Sequence, residues 1–312
     1  MKRIGYILAI ILGCFVFLFM IKTIYGVSNK NDNDSKEKRM VENLFKQSST
    51  TIIEAPNYKG NRNKALTPVP KIRKIHQKQV EPTADIETWM KSNSIESENI
   101  LLDAAPSFHH YKTLINNIPN LLAPLQLGNK YLHIWKKEDN YNFFVYGPHS
   151  YIEASPMRLL ITDKDNTSVV RDYQFDNYVY IPCDDADKTL VNQFVRQFEM
   201  NDGILYFTHY HNTYSNFSYG LNGYISALDL KTNKILWTTK PLTCNSNFVV
   251  YGDYIITGYG FTNEPDYLYI IDKSNGAFVK KISLANAPGV IGMKENHIFV
   301  RTYSYEYEFV IQ

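Results

Sequence analysis

The chain of 312 residues is long enough for two ordinary domains or one large β-rich domain. At 44% hydrophobic and 14% aromatic residues it can build a core, which excludes disorder of the whole chain, and three cysteines exclude a disulfide-built scaffold. The net charge of +2 hides an asymmetry: residues 1–80 hold 15 Lys+Arg against 5 Asp+Glu, and residues 81–312 hold 18 against 26.

Residues 1–25 read as a membrane anchor. Ile4 to Ile21 is a run of 18 uncharged residues, preceded by Lys2 and Arg3 and closed by Lys22. A cleaved signal would have a shorter apolar core and a small-residue exit. Ile11-Leu12-Gly13-Cys14 resembles a lipoprotein signal, but Phe15 to Met20 continues the apolar run where such signals turn polar. Flanking positive charges are nearly balanced, and a short N-terminal tail then favours a single-pass topology with the bulk of the chain extracytoplasmic.

Residues 26–95 read as a polar and basic linker stalk, mostly disordered. Ser28 to Ser35 is of low complexity, Lys36 to Lys46 can form a short helix, and Ala55 to Val80 holds seven basic residues, no acid, and Pro56, Pro68 and Pro70. Order resumes near Thr83 or Asp85, either of which suits a helix N-cap. A helical or irregular lead-in covers 96–121.

From 122 to 312 the pattern is β. Short runs rich in Tyr, Phe, Ile and Val alternate with Asn, Asp and Gly turns, and no helical stripe follows residue 190. Gly223–Trp237 and Asp266–Lys280 align with each other, placing Asp229 and Asp272 at equivalent positions 43 residues apart. Each aspartate ends a strand and can accept turn amides, with Asn233 and Gly276 supplying the left-handed position. The period holds four strands, the make-up of a propeller blade.

The segment "ALDLKTNKILW" resembles the repeat of the PQQ-like (quinoprotein-type) β-propellers, Ala-x-Asp-x-x-Thr-Gly-Lys-x-x-Trp. Ala227, Asp229, Thr232, Lys234 and Trp237 match it, and Asn233 replaces the glycine. Asp272 and Gly276 match in the second copy, and Asp163 marks a fainter third, separated by an insertion such as Pro182 to Leu190. The resemblance implies an all-β, small or incomplete propeller of about 4–5 blades, with residues 286–312 as a partial last blade and Trp237 between neighbouring blades. A twisted β-sandwich is the alternative. The calcium ligands and vicinal cysteines of the quinone enzymes have no counterpart here, so the resemblance implies the fold without PQQ or another cofactor, as in non-enzymatic scaffold relatives.

Candidate sites are sparse. His209 and His211 end a strand two residues apart, so alternation puts both imidazoles on one face where they could share a metal, with His133 or Asp202 as a third ligand. The acidic loop Asp184-Asp185-Ala186-Asp187 lacks calcium-loop spacing. Cys183 and Cys244 could pair in an oxidising compartment or stay as separate thiols. Tyr206, Tyr210, Tyr214, Phe217, Tyr219 and Tyr224 crowd one region, and Tyr303, Tyr305 and Tyr307 are expected along one face of the last strand. Catalytic and phosphate-binding motifs are absent. The sequence therefore points to a membrane-anchored, extracytoplasmic binding or scaffolding protein, not an enzyme, that contacts protein or a cell-envelope polymer and no nucleic acid. A PQQ- or metal-dependent enzyme or sensor is the alternative.

Overall fold

A strand buried on both faces needs a sheet on either side, and the central strands here are of that kind. In the computed structural model, which describes residues 49–56, 62–82, 85–95, 126–127, 130–137, 140–147, 157–165, 167–176, 178, 191 and 193–312, they are stacked in successive sheets, antiparallel except where the edge strand at 51–54 runs parallel to its neighbour. The first sheet has the order β1-β7-β6-β5-β4-β3, formed by β1 (Thr51–Glu54), β3 (Gln126–Leu127), β4 (Lys130–Lys137), β5 (Tyr141–Gly147), β6 (Met157–Asp163) and β7 (Val169–Asp176). The second contains β8 (Phe194–Asn201), β9 (Ile204–Tyr210), β10 (Tyr224–Asp229) and β11 (Lys234–Thr238). The third contains β12 (Val249–Tyr251), β13 (Tyr254–Phe261), β14 (Glu264–Asp272) and β15 (Phe278–Ser283). The fourth has the order β16-β17-β18-β2, joining β16 (Pro288–Lys294), β17 (His297–Thr302) and β18 (Tyr305–Ile311) to β2 (Ile72–Gln79).

The period-2 alternation of each strand sorts its side chains between two neighbours. Leu205, Phe207 and Leu228 of the second sheet pack on Phe143, Leu159 and Phe175 of the first. Tyr206, Ile225, Ala227 and Trp237 point the other way and meet Ile255, Tyr269 and Ile271 of the third. Ile256, Leu268 and Ile270 in turn meet Ile291, Val300 and Phe309 of the fourth. Sequential four-stranded meanders stacked face to face are the blades of a propeller-type all-β fold, and the sandwich alternative falls. On the far face of the fourth blade, Val290 and Phe299 are covered by Trp89, Met90 and Ile95 of α1 (Ile86–Ser92) and its exit. Gly292 permits this: a Cβ there would lie 2.7 Å from Ile95 Cδ1.

The aspartate repeat is the turn that joins the third and fourth strands of a blade. Asp229 accepts the Lys231 N–H (2.9 Å) and the Thr232 hydroxyl (2.7 Å), with Asn233 at φ 55°. Asp272 accepts the Ser274 N–H and hydroxyl, and Gly276 takes φ 71°. Asp163 also caps its turn, but through the residues four and five on, Thr167 and Ser168, so the faint third copy keeps the aspartate in a longer turn. Lys234 stands exposed at the start of β11.

The reading of 26–95 as a disordered stalk needs correction. Residues 51–54 and 72–79 are strands, and the segment 62–70 is strapped to the third blade. Leu66 and Thr67 donate their N–H groups to Asp272 Oδ2 at 2.6 and 2.9 Å, and Tyr254 donates its hydroxyl to the Pro68 carbonyl. β2 then runs antiparallel to β18, from Ile72 opposite Ile311 to Gln79 opposite Tyr305, and completes the blade that the sequence left partial. Residues 73–79 are exposed, so they carry no apolar alternation, and their backbone ladder holds them with Lys74 lying over the Tyr307 ring. Asp85 sits at the N-terminus of α1, its carboxylate accepting the Thr88 hydroxyl and its backbone carbonyl the Trp89 N–H. Residues 1–48 and 96–121, including the apolar run 4–21, lie outside the described residues. Among the described residues no helix is long and apolar enough to cross a membrane.

Asp272 is the one turn aspartate that also holds the strap. Burial raises its pKa, but the bonds from Ser274, Thr67 and Leu66 outweigh that and keep it below the usual carboxylate range. Asp272→Ala is expected to cost about 1–3 kcal/mol and to loosen 62–70. Denaturant unfolding with limited proteolysis measures both, and an unchanged cleavage pattern in the strap would contradict the assignment.

Candidate functional site

The loops that join the second and third strands of blades two, three and four leave the blades at one end, opposite the aspartate turns. They are residues 211–223, 262–263 and 303–304. The first is long, and its support begins with the two histidines singled out in the sequence. His209 is fully buried between blades, stacked on Tyr224 at 5.0 Å. Its Nδ1–H donates to Gln193 Oε1 (2.8 Å), whose amide is oriented by donation to the Leu221 carbonyl. Its Nε2 accepts from Ser226 (3.0 Å), which in turn meets Thr238. Burial lowers the His209 pKa to about 3, so the ring is neutral.

His211 is buried as well. Its backbone N–H donates to Asn222 Oδ1 at 2.9 Å, and its Nε2 meets Ser218 Oγ at 2.7 Å. Burial lowers its pKa to about 4, against an opposing effect of the Thr213 backbone. The structure thus uses both imidazoles to pin the 211–223 loop. No group of three His, Cys, Asp or Glu suited to a metal occurs among the described residues. Asp202 lies in the turn at the opposite end of β9, and Asp184–Asp187, Cys183 and the His133 side chain lie outside what is described. Cys244 is a free, buried thiol that accepts from Thr257, and burial raises its pKa to about 12.

From this base the loop turns through a short 3-10 segment, Ser215–Ser218, and ends on Tyr219 in the left-handed region at φ 55°. That conformation disfavours a bulky side chain, and it is held by backbone bonds from Tyr219 to Asn216 and from Gly220 to Ser215 (2.7 Å). The Tyr219 side chain is consequently presented outward, with the residue 67% exposed. A neighbouring blade braces the loop: Glu264 accepts the Ser215 N–H (2.6 Å) and the Tyr259 hydroxyl (2.6 Å), and Tyr214 packs edge-on against Phe261. Burial, with the Glu264 charge added, raises the Asp266 pKa to about 6. On the fourth blade Tyr303 is 71% exposed in its loop, beside a Ser304–Asn286 hydrogen bond.

Tyrosine therefore divides sharply. Tyr206, Tyr210 and Tyr224 are core, while Tyr219 and Tyr303 face outward. Tyr303 sits in a turn, not on the strand face expected for it, and Tyr305 and Tyr307 pack along β18. Ser218, Asn222 and Glu264, which shape the loop, had no marker in the sequence, because their partners come from other blades or across a loop. The end therefore offers the exposed aromatic faces of Tyr219 and Tyr303 on a braced frame. Exposed tyrosine rings are chemically able to stack on sugar rings or to cover apolar side chains.

No protein-family model matches the chain, and no curated protein matches it. Among solved structures it is similar to the computationally designed Ika8 protein, at 10% identity and a TM-score of 0.36 over 58% of this chain and 46% of that one. It is also similar to BamB from Moraxella catarrhalis, at 11% identity and 0.31 over 60% and 71%. The Dos1 propeller gives 12% identity and 0.35 over 61% and 58%. The chain spans about half the length of Ika8, these likenesses are loose, and the propeller-type description stands on the strand pairing above.

Proposed function

We propose that this is a membrane-anchored, extracytoplasmic binding or scaffolding protein, held by residues 4–21, whose propeller-type domain is kin to the PQQ-like repeat group. Its loop end contacts a protein or glycan partner through Tyr219 and Tyr303. The observation that carries this reading is the loop 211–223 itself. Two buried histidines, a cross-blade carboxylate and strained backbone are all committed to presenting one exposed tyrosine, and such strain is retained where a fixed geometry is used. A rigid aromatic anchor loses little entropy when it binds.

A photo-crosslinking residue at Tyr303 in the full chain, in its native membranes, should capture a discrete partner, and one at Lys231 on the opposite end should not. Tyr219→Ala should weaken that capture about tenfold or more while leaving thermal stability unchanged. Equal capture from both ends, or no effect of Tyr219→Ala, would remove this face from the function. A stoichiometric metal or tightly held PQQ in the purified chain would replace scaffolding with cofactor chemistry.

A further inference from the structure

The outermost strands of the blades carry an unusual combination of charge and apolar exposure. Residues 62–80, the strap and β2, hold six Lys and Arg and no Asp or Glu. β11 with its exit adds Lys234 and Lys240, β15 adds Lys280 and Lys281, and neither stretch holds an acid. These ten positive charges lie on a protein of net charge +2. The three edges form one continuous rim. Lys240 lies over the Phe278 ring at 5.7 Å, Lys280 reaches the Pro70 carbonyl at 3.5 Å, and the strap crosses from the third blade into β2.

Lysines on sheet edges have an ordinary use, which is to prevent edges from pairing with other chains. Exposed aliphatic side chains between them work against that use, and this rim has four. Leu66 is 79% exposed, Val69 66%, Leu236 53% and Ile75 42%. Cations interspersed with exposed aliphatic groups match the boundary of an anionic bilayer, where headgroups attract the first and the acyl region accepts the second. A purely anionic polymer has no use for the second. The same chain carries the apolar run Ile4–Ile21.

We infer that the basic rim formed by 62–80, β11 and β15 docks on an anionic lipid surface. This deepens the membrane reading above, and its test separates the two. The full chain is reconstituted into vesicles of phosphatidylcholine alone, or with a third of the lipid replaced by phosphatidylglycerol, and amide exchange is followed. Each basic residue near such a surface changes partitioning about fivefold, so exchange across 62–79 should slow at least about tenfold in the anionic vesicles. A variant with Lys71→Gln, Arg73→Gln, Lys74→Gln and Lys78→Gln should lose that protection, as should the wild type in high salt. Leu66→Ser with Val69→Ser should weaken it, while β9 exchanges unchanged in every variant. Equal exchange in both vesicle types would overturn the proposal. So would equal protection by soluble polyphosphate, which would assign the rim to a polymer. Carbonate washing of the same vesicles reports on the anchor alone: a chain released by carbonate yet protected by anionic lipid keeps the rim contact and loses the anchor.

Discussion

Replacing Trp237 with alanine is expected to lower the stability of the β domain by about 3–5 kcal/mol. The ring is 8% exposed, lies between the second and third blades, and contacts Tyr206 at 5.8 Å between ring centres. It also rests on the aspartate turn of the next blade: a Cβ on Gly276 would come within 2.5 Å of Trp237 Cε3. Gly276→Ala should therefore destabilise twice, through a steric clash and through a left-handed backbone that costs an L-residue about 1–2 kcal/mol. In the double variant the clash has gone and the backbone cost remains, so the two losses should sum to more than the measured double loss. Urea unfolding of the detergent-solubilised chain measures all three. A loss well under 1 kcal/mol for Trp237→Ala would place the ring outside the inter-blade core.

Acidification should weaken the domain from about pH 6.5 downward, through its two buried histidines. His209 and His211 stay neutral when folded, with pKa values lowered to about 3 and about 4 from an ordinary 6.5. The unfolded chain takes up both protons as the pH falls below 6.5 and the folded chain does not, so stability is full above that value and declines beneath it. Each histidine contributes a slope of about 1.4 kcal/mol per pH unit until its folded value is reached. Asp266, with its pKa raised from 3.8 to about 6, opposes them between those values, because the folded chain takes up that proton first. The turn aspartates act later, since Asp163, with its pKa lowered to about 2 by Thr167 and Ser168, gives up its share only below the ordinary carboxylate value of 3.8. His209→Gln should be less stable at neutral pH and yet reduce the slope between pH 6 and about 4.5 by about 1.4 kcal/mol per pH unit, which separates titration from packing. An unchanged slope would mean that His209 is not held neutral.

The parts of this fold that were legible in the sequence are those encoded locally. Asp229 and Asp272 announce their turns because the aspartate bonds to amides two residues on, and the four strands of each period alternate within short windows. Trp237 was legible as an inter-blade residue through the repeat that surrounds it. β2 was not, because an exposed edge strand has no apolar face, and its partner lies at the other end of the chain. The histidines misled for a related reason. Alternation gives the face a side chain occupies, but in a blade covered on both sides every face is interior, so His209 and His211 became supports and not ligands. Tyr219 could be grouped with its neighbours but not distinguished from them, since its exposure depends on Glu264 in the next blade.

The pairing of β2 with β18 sets a schedule for biosynthesis. β2 emerges from the ribosome ahead of every other strand of its blade, yet the segment it binds, Tyr305–Ile311, follows it by 226 to 239 residues (305 − 79 and 311 − 72). Bonds from Val80 to Ser304 and from Gln312 to Lys71 extend the ladder at both ends, so the match is read over its full length. The entropy of bringing such distant segments together must be met before the ladder returns anything, which makes this step slow relative to the local meanders. Until then the basic edge of β2 waits without its partner strand. Chains interrupted before Tyr305 can assemble the second and third blades but cannot dock β2. A protease that recognises a loose 72–79 segment could thus tell unfinished molecules from finished ones.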